Sequence, residues 1–124
     1  TELVISTRIV DNKSVIDILK YMIREIEIQP ELPNHALFKL TDRWSHMLIG
    51  ASYYFVPRSI HLLEYDKIGK YWCFINRSDF KNYNDEVNLF IDWIKPYLIK
   101  DGDMFAYSRY EEDKQPIIYY CEEE

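Results

Sequence analysis

The residues IHLLEYDKIGKYWCFIN, at positions 60–76, give the clearest indication of the fold class. Its two halves, IHLLEY at 60–65 and YWCFIN at 71–76, are rich in β-branched and aromatic residues, which favour strands. The segment DKIGK between them places Gly69 in a tight turn. A strand, a tight turn and a second strand predict a β-hairpin, in which neighbouring strands run antiparallel.

Three more strands are predicted upstream of this hairpin. LVISTRIV at 3–10 is rich in β-branched residues, and strand alternation turns Leu3, Ile5 and Ile9 to one side. HALFKL at 35–40 and HMLIGASYYFV at 46–56 are the other two predicted strands. The connector QPELPN contains Pro30 and Pro33, which cannot continue a helix, and it is too short to be a domain linker.

Two segments have the three-and-four spacing of apolar residues that is typical of a helix. The first begins at Ser14, where Ser14 and Asp17 resemble a capping box, and ends near Glu27. The second begins after Asn84, its expected cap, and is ended or kinked by Pro96. The apolar stripes consist of Val15, Ile16, Leu19, Met22, Ile23 and Ile26 in the first helix, and of Val87, Phe90, Ile91, Ile94 and Leu98 in the second.

After the second helix, KDGD leads into MFAYSRY, and EEDKQ leads into PIIYYC, which predicts a last hairpin. The order is then β-α-β-β-β-β-α-β-β. It predicts a single α+β domain over residues 1–124, with a mostly antiparallel sheet of six or seven strands and two main helices on one face. Residues 122–124 are expected to form a disordered acidic tail.

Composition narrows the class of protein. The 124 residues are 48% hydrophobic with 3 Gly and 5 Pro, which favours a folded domain over a disordered chain. No apolar run approaches the roughly 20 residues that a membrane span needs, and residues 1–10 lack a signal-peptide pattern. We therefore expect a cytoplasmic protein without membrane contact. Cys73 and Cys121 lie among strand-forming residues, form no CxxC pair and are expected to be buried free thiols.

The net charge of −6 is concentrated at one end of the sequence. Residues 1–100 contain 13 acidic and 13 basic side chains, whereas residues 101–124 contain 8 acidic and 2 basic ones. Nucleic-acid binding requires a concentrated Lys/Arg surface, so we expect no nucleic-acid partner. A concentrated acidic segment instead favours a basic protein partner.

Motifs for catalysis and cofactor binding are missing from the sequence. There is no GxGxxG, GxxxxGK[ST] or GxSxG, and the three histidines lack the i, i+3 or i, i+4 spacing of metal ligands. On a strand, His61 would point to the face opposite Glu64 and Asp66, which weakens a general acid/base pair. The two carboxylates would share one face, so a metal-dependent hydrolase that uses them is an alternative. We expect no enzyme activity, no cofactor and no metal site.

Aromatic residues make up 16% of the chain, and many fall in adjacent pairs on predicted strands, as at Tyr53 and Tyr54, Tyr71 and Trp72, and Tyr119 and Tyr120. Because strand neighbours point to opposite faces, one member of each pair must leave the face that the helices cover. A tyrosine-rich second face suits a protein interface. It lacks the Gly and Lys/Arg neighbours of RNA-binding sheets, and burial of both faces, for instance in a homodimer, is the alternative.

KNYNDEVNLFIDWIKPYL, followed by a glycine turn and YSRYEEDKQPIIYY, resembles the carboxyl-terminal half of small immunity proteins encoded beside bacterial polymorphic or contact-dependent toxins. The resemblance lies in Glu86, Phe90, Trp93 and Pro96 of the helix, and in Tyr110, Glu111 and Pro116 of the hairpin. It implies a non-catalytic single domain that binds and blocks one toxin domain.

Charge and resemblance together predict a partner surface on the last hairpin, in which carboxylates steer a basic partner and tyrosines anchor it. The predicted residues are Tyr110, Glu111, Glu112, Asp113, Tyr119 and Tyr120. The first alternative is a phage or host regulator that inhibits a nucleic-acid enzyme by mimicking phosphates. A metal-dependent hydrolase is the second alternative.

Overall fold

The computed structural model describes residues 1–40, 42–52 and 58–123. Its elements are β1 (Glu2–Val10), α1 (Lys13–Met22), α2 (Ala36–Leu40), β2 (Ile60–Asp66), β3 (Tyr71–Asp79), α3 (Glu86–Ile94), β4 (Met104–Arg109) and β5 (Ile117–Tyr120). Short 3-10 turns lie at Arg43–His46 and Lys95–Tyr97. The described strands form one sheet in the order β2-β3-β1-β4-β5, and every neighbouring pair is antiparallel. The predicted α+β class is confirmed.

The two predicted hairpins are confirmed, and β1 lies between them. The β2–β3 hairpin pairs Leu63 with Phe74, and Phe74 in turn lies opposite Thr7 of β1. The turn is held by Asp66, whose carboxylate accepts the backbone N–H groups of Ile68 at 2.9 Å and Gly69 at 3.0 Å. An Asp at this position mimics a backbone turn with its own side chain, which explains the sharp reversal after β2.

The helices cover one face of the sheet, which we call the covered face. Leu3, Ile5 and Ile9 of β1 are buried there, as the strand pattern predicts. They belong to one apolar core with the buried side chains of α1 and α3. The predicted stripe of the second helix is confirmed for Val87, Phe90, Ile91 and Ile94, which are buried on α3. Leu98 is buried too, but it lies beyond the helix as an extended residue that bridges to Ile9.

The segment 35–40 is a helix, so the predicted strand there is wrong. A five-residue apolar run looks the same in a short strand and in a single helical turn, and the surroundings decide. Here the ring Nδ1 of His35 accepts the N–H of Leu37 at 3.0 Å, which caps the turn. Phe38 then packs edge-on against Trp44 and Trp93, with ring centroids 4.8 and 5.3 Å away.

The strand predicted at 46–56 is also wrong for residues 46–52, which form the end of a 3-10 turn and a loop. The rest of that predicted strand, residues 53–56, lies outside the described part of the chain. Met47 and Leu48 are buried by this loop, and their carbonyl groups accept hydrogen bonds from Ser78 and Asn76 of β3 at 2.7 and 3.2 Å. The described residues therefore form a five-stranded sheet, where six or seven strands were predicted.

The N-terminal caps of both predicted helices differ from the prediction, and the first helix also ends earlier. Asn12, and not Ser14, caps α1, because its side chain accepts the N–H of Val15. The helix ends at Met22 and not near Glu27, and Arg24 then takes a positive φ of 68°. At α3, the side chain of Asn82, and not that of Asn84, accepts the N–H of Val87 at 3.2 Å.

None of the helices within the described residues combines the length and the apolar composition that crossing a bilayer would require.

Candidate functional site

The second face of the sheet, which we call the open face, carries a band of apolar side chains. The strand register pairs Leu62 with Ile75, and Val4 with Tyr107, which in turn pairs with Ile118. Ile75 and Val4 are diagonal neighbours, and Arg77 lies between Ile60 and Val4. The band consists of Ile60, Leu62, Ile75, Val4, Tyr107 and Ile118. Four of them are exposed, from 38% for Leu62 to 54% for Ile60, and the other two are half-buried. An exposed apolar patch of this kind is typical of a site where another molecule binds.

Charged pairs border this band on one side. Glu2 of β1 lies between Arg77 of β3 and Arg109 of β4, at 2.9 and 3.1 Å, and its side chain is 1% exposed. Because the carboxylate is held by two guanidinium groups, it adds no net negative charge to this border of the band. An apolar centre with charged groups at its margin is the usual arrangement of a protein interface.

A cavity of about 310 Å³ opens on the same face where β1 and β4 separate. Their pairing stops at Ile5 and Ala106, and a bulge between Met104 and Ala106 turns β4 away. The cavity combines apolar walls with two carboxylates, and its lining includes Arg8, Ile75, Asp101, Asp103, Met104 and Cys121. A recess of this size has room for a long side chain of a partner.

Asp101 and Cys121 give this cavity its electrostatic character. The N–H of Asp103 at 3.0 Å, and then Arg8 at 2.9 Å, hold the pKa of the Asp101 carboxyl below its usual value. Burial, and then the nearby Asp101 carboxylate, raise the pKa of the Cys121 thiol. Cys121 is therefore a neutral thiol at pH 7, which is unreactive compared with a thiolate. Both cysteines are free, as predicted, but only Cys121 is buried, whereas Cys73 is half-buried.

The last hairpin, formed by β4 and β5, separates the predicted tyrosines into two groups. Tyr119 lies on the covered face, where its hydroxyl is 2.9 Å from that of Ser108 and its ring packs near Phe105. Tyr120 lies on the open face opposite Met104 and is 55% exposed. Tyr71 and Trp72 divide in the same way, so the predicted alternation is confirmed for these pairs; Tyr53 and Tyr54 lie outside the described residues.

The predicted acidic residues lie at the turn of this hairpin. Glu111, Glu112 and Asp113 are exposed, and the carboxylate of Asp113 accepts the N–H of Tyr110 at 3.0 Å, which closes the turn. Tyr110 is exposed beside them.

A second acidic group lies at the opposite end of the hairpin. Glu123 forms an isolated antiparallel β-bridge with Asp101, and the backbone carbonyl of Glu122 accepts the N–H of Gly102. Glu124 lies outside the described residues. With strand residues spaced about 3.4 Å apart, the two acidic groups are roughly 20 Å from each other.

The alternative catalytic residues are placed as the strand pattern predicts, with Glu64 and Asp66 on the open face and His61 on the covered side. The carboxylate of Asp66 accepts the backbone N–H groups of Gly69 and Ile68 in the turn after β2, and these hydrogen bonds lower the pKa of Asp66. Within residues 1–40, 42–52 and 58–123, no three His, Cys, Asp or Glu side chains come together as metal ligands would.

Sequence reasoning did not single out the aliphatic members of the open face or the two cavity carboxylates. Ile118 could have been found by its alternation with Tyr120, since both lie on the same side of β5. Asp101 and Asp103 belong to a segment that reads as an ordinary turn, and only the divergence of β1 from β4 places them at a cavity.

No protein-family model matches this chain, and neither a curated protein nor a solved structure matches it.

Proposed function

We propose that this chain is a non-catalytic protein-binding module that inhibits a basic protein in the cytoplasm, as an immunity protein neutralises a toxin domain. The observation that carries the proposal is the open face of the sheet, where an apolar band meets the acidic last hairpin. The resemblance of residues 81–120 to immunity proteins gives the class of partner.

The energy of binding comes from the apolar side chains. Ile118 and Tyr120 on β5 and Met104 on β4 are each more than 40% exposed and lie together at one edge of the open face. Burying such side chains against a partner is favourable in proportion to the apolar area removed from water. A few large anchors of this kind usually supply most of the affinity of an interface.

The choice of partner comes from charge. Residues 101–124 carry all of the net charge of −6, and its described carboxylates lie at both ends of the last hairpin. Exposed carboxylates attract a basic protein before contact and raise the association rate, while they contribute little to the lifetime of the complex. Anchors and carboxylates should therefore affect different rate constants.

The test begins with capture of partners from a lysate of the source organism, at low and then moderate salt. The most strongly held basic protein is purified, and its binding to four variants is measured by surface plasmon resonance. Ile118→Ala with Tyr120→Ala removes the anchors, and Ile28→Ala with Leu40→Ala is the control, because both control residues are exposed and lie outside the five strands. We expect the anchor pair to lower affinity by at least about thirtyfold.

The second pair of variants tests steering. Glu111→Gln with Glu112→Gln should lower the association rate by about fivefold at low salt and leave the dissociation rate unchanged. Glu25→Gln with Glu27→Gln removes the same charge from exposed positions after α1 and should have little effect. If the anchor pair and its control bind equally well, the open face is not the binding surface and the proposal is wrong.

A further inference from the structure

We propose that the outer edge of β5 binds an extended, positively charged segment of the partner as an added strand of the sheet. The inference rests on the proposed function and specifies its chemistry. In the sheet order β2-β3-β1-β4-β5, β5 has a neighbour on one side only within the described residues. Addition of a strand to such an edge is a common way of recognising an extended peptide.

The direction of the backbone groups on β5 follows from a hydrogen bond next to it. The N–H of Cys121 donates to the carbonyl of Asp103 at 2.8 Å, so it points toward β4. Backbone groups of successive strand residues point in alternate directions, so Ile117 and Tyr119 bond toward β4. The N–H and C=O groups of Ile118 and Tyr120 then point outward, away from the sheet.

Pro116 sets the length of this edge. It lies two residues before Ile118 on the same outward side, and proline has no N–H to donate. The outward donors of β5 are therefore those of Ile118 and Tyr120, which matches an added segment of about five residues. The side chains of the same two residues lie on the open face and are partly exposed, so they contact alternate side chains of the added strand.

Charge decides which strand fits. Glu112 is exposed before this edge, and Glu122 and Glu123 are exposed after it, so a segment with lysine or arginine at both ends meets negative charge at each end. Glu111 lies 3.9 Å from the amino group of Thr1, so its charge is already paired within the fold. A second copy of the chain is a poor occupant, because two segments of charge −6 would be brought together. Charged residues beside an edge strand are a known protection against such self-pairing.

The decisive experiment is amide hydrogen exchange of the full chain, followed by NMR, with the synthetic peptide KTVTVTK and its counterpart ETVTVTE as probes. In the free protein we expect the amides of Ile118 and Tyr120 to exchange fast and those of Ile117 and Tyr119 to exchange slowly. Saturation with KTVTVTK should slow exchange at Ile118 and Tyr120 by about tenfold or more, since each gains a hydrogen-bond acceptor.

A proline substitution tests the same edge through affinity. Ile118→Pro removes an outward N–H on the side of β5 where the described residues place no neighbouring strand, and it should weaken KTVTVTK binding by about tenfold. Ile118→Ala keeps the N–H and should weaken binding less. Circular dichroism checks that both variants fold, and the exchange experiment on the unmodified chain decides the matter if Ile118→Pro does not fold.

Several outcomes would overturn the inference. One is unchanged exchange at Ile118 and Tyr120 with millimolar KTVTVTK, and another is equal protection by ETVTVTE. A third is slow exchange of these two amides in the free protein together with sedimentation as a dimer, which would assign the edge to a second copy.

The same experiments separate this inference from the proposed function. If the captured partner depends on Tyr120 and Glu111 but leaves both amides unprotected, the edge inference fails and the proposed function stands. If KTVTVTK protects both amides but no basic protein is captured, the edge inference stands and the proposed function fails.

Discussion

At the scale of single residues, carboxylates have three different roles on one surface. Glu2 is buried between two arginines, Asp66 and Asp101 hold backbone turns, and Glu111 and Glu112 are exposed. A count of acidic residues cannot distinguish these roles, because each depends on which N–H group or guanidinium the fold brings near. Of the two exposed carboxylates, Glu111 lies 3.9 Å from the amino group of Thr1, so Glu112 is the one available to a partner without loss of a described ion pair.

Replacing Glu2 by Gln should destabilise the fold. The amide keeps the size of the side chain but loses the charge that holds Arg77 and Arg109, and hydrogen bonds to charged groups contribute about 2 kcal/mol to stability. Urea unfolding measures the change. Glu64→Gln, on the same face but exposed, is the control and should change stability by less than about 0.5 kcal/mol. Equal effects of the two substitutions would contradict the role assigned to Glu2.

Asp101 should make the protein sensitive to acid. Its folded pKa is lowered by the N–H of Asp103 and by Arg8, so its contribution to stability is fully present above the unfolded pKa of about 3.9. That contribution is lost as the pH falls through the lower folded pKa. We expect Asp101→Asn to lower stability at pH 7 and to reduce the loss of stability between pH 5 and pH 2. Parallel curves of stability against pH for the two proteins would show that Asp101 does not contribute.

At the scale of elements, the last hairpin has a structural side and a side available for binding. Tyr119 and Ser108 join β5 to β4 on the covered face, whereas Ile118 and Tyr120 lie on the open face. Adjacent tyrosines therefore have unrelated roles, which follows from the two-residue period of a strand. Tyr119 remains a predicted partner residue, but its hydroxyl already has a hydrogen-bond partner within the fold.

Removing the Tyr119 hydroxyl tests this division. Tyr119→Phe loses the hydrogen bond to Ser108 and should lower stability by about 1 kcal/mol, measured by thermal unfolding. Partner affinity should stay the same, whereas Tyr120→Ala should reduce affinity and leave stability nearly unchanged. A Tyr119→Phe variant with full stability and weakened binding would reverse the assignment of the two tyrosines.

The loop at residues 47–52 depends on Gly50 for its contact with the sheet. A Cβ at Gly50 would lie 2.2 Å from the carbonyl oxygen of Asp79, and that backbone cannot move without disturbing β3. The carbonyl of Gly50 also accepts the N–H of Asp79 at 2.9 Å. Gly50→Ala should therefore cost about 2 kcal/mol in urea unfolding, as overpacking in a core does. Gly69→Ala meets only the ring of Tyr71, a side chain, and should cost less.

At the scale of the whole molecule, charge is distributed unevenly over the fold. Residues 1–100 are neutral in sum, and the open face balances its central carboxylate with arginines, so the negative potential is strongest around the last hairpin. Two copies that met through their hairpins would repel each other, and this repulsion is greatest at low salt.

We therefore expect a monomer in solution without a partner. Sedimentation at 50 mM salt and micromolar protein should give a mass of 15.1 kDa. Raising the salt to 0.5 M screens the repulsion and should favour any association through the open face. A stable dimer at low salt would mean that the apolar band is covered by a second copy, as the homodimer alternative holds.

The class of the fold, the two hairpins, the apolar stripe of α3 and the division of the paired aromatics could all be predicted from the amino-acid sequence. These features depend on local periodicity and on turn residues such as Asp66 and Gly69, which act within a few positions along the chain. The structure of residues 35–40 and 46–52 was decided by contacts far away in sequence, namely Phe38 against Trp93 and the carbonyls of Met47 and Leu48 against β3. The open face was likewise decided by tertiary structure, because only strand pairing brings Ile60 and Ile118 into one band.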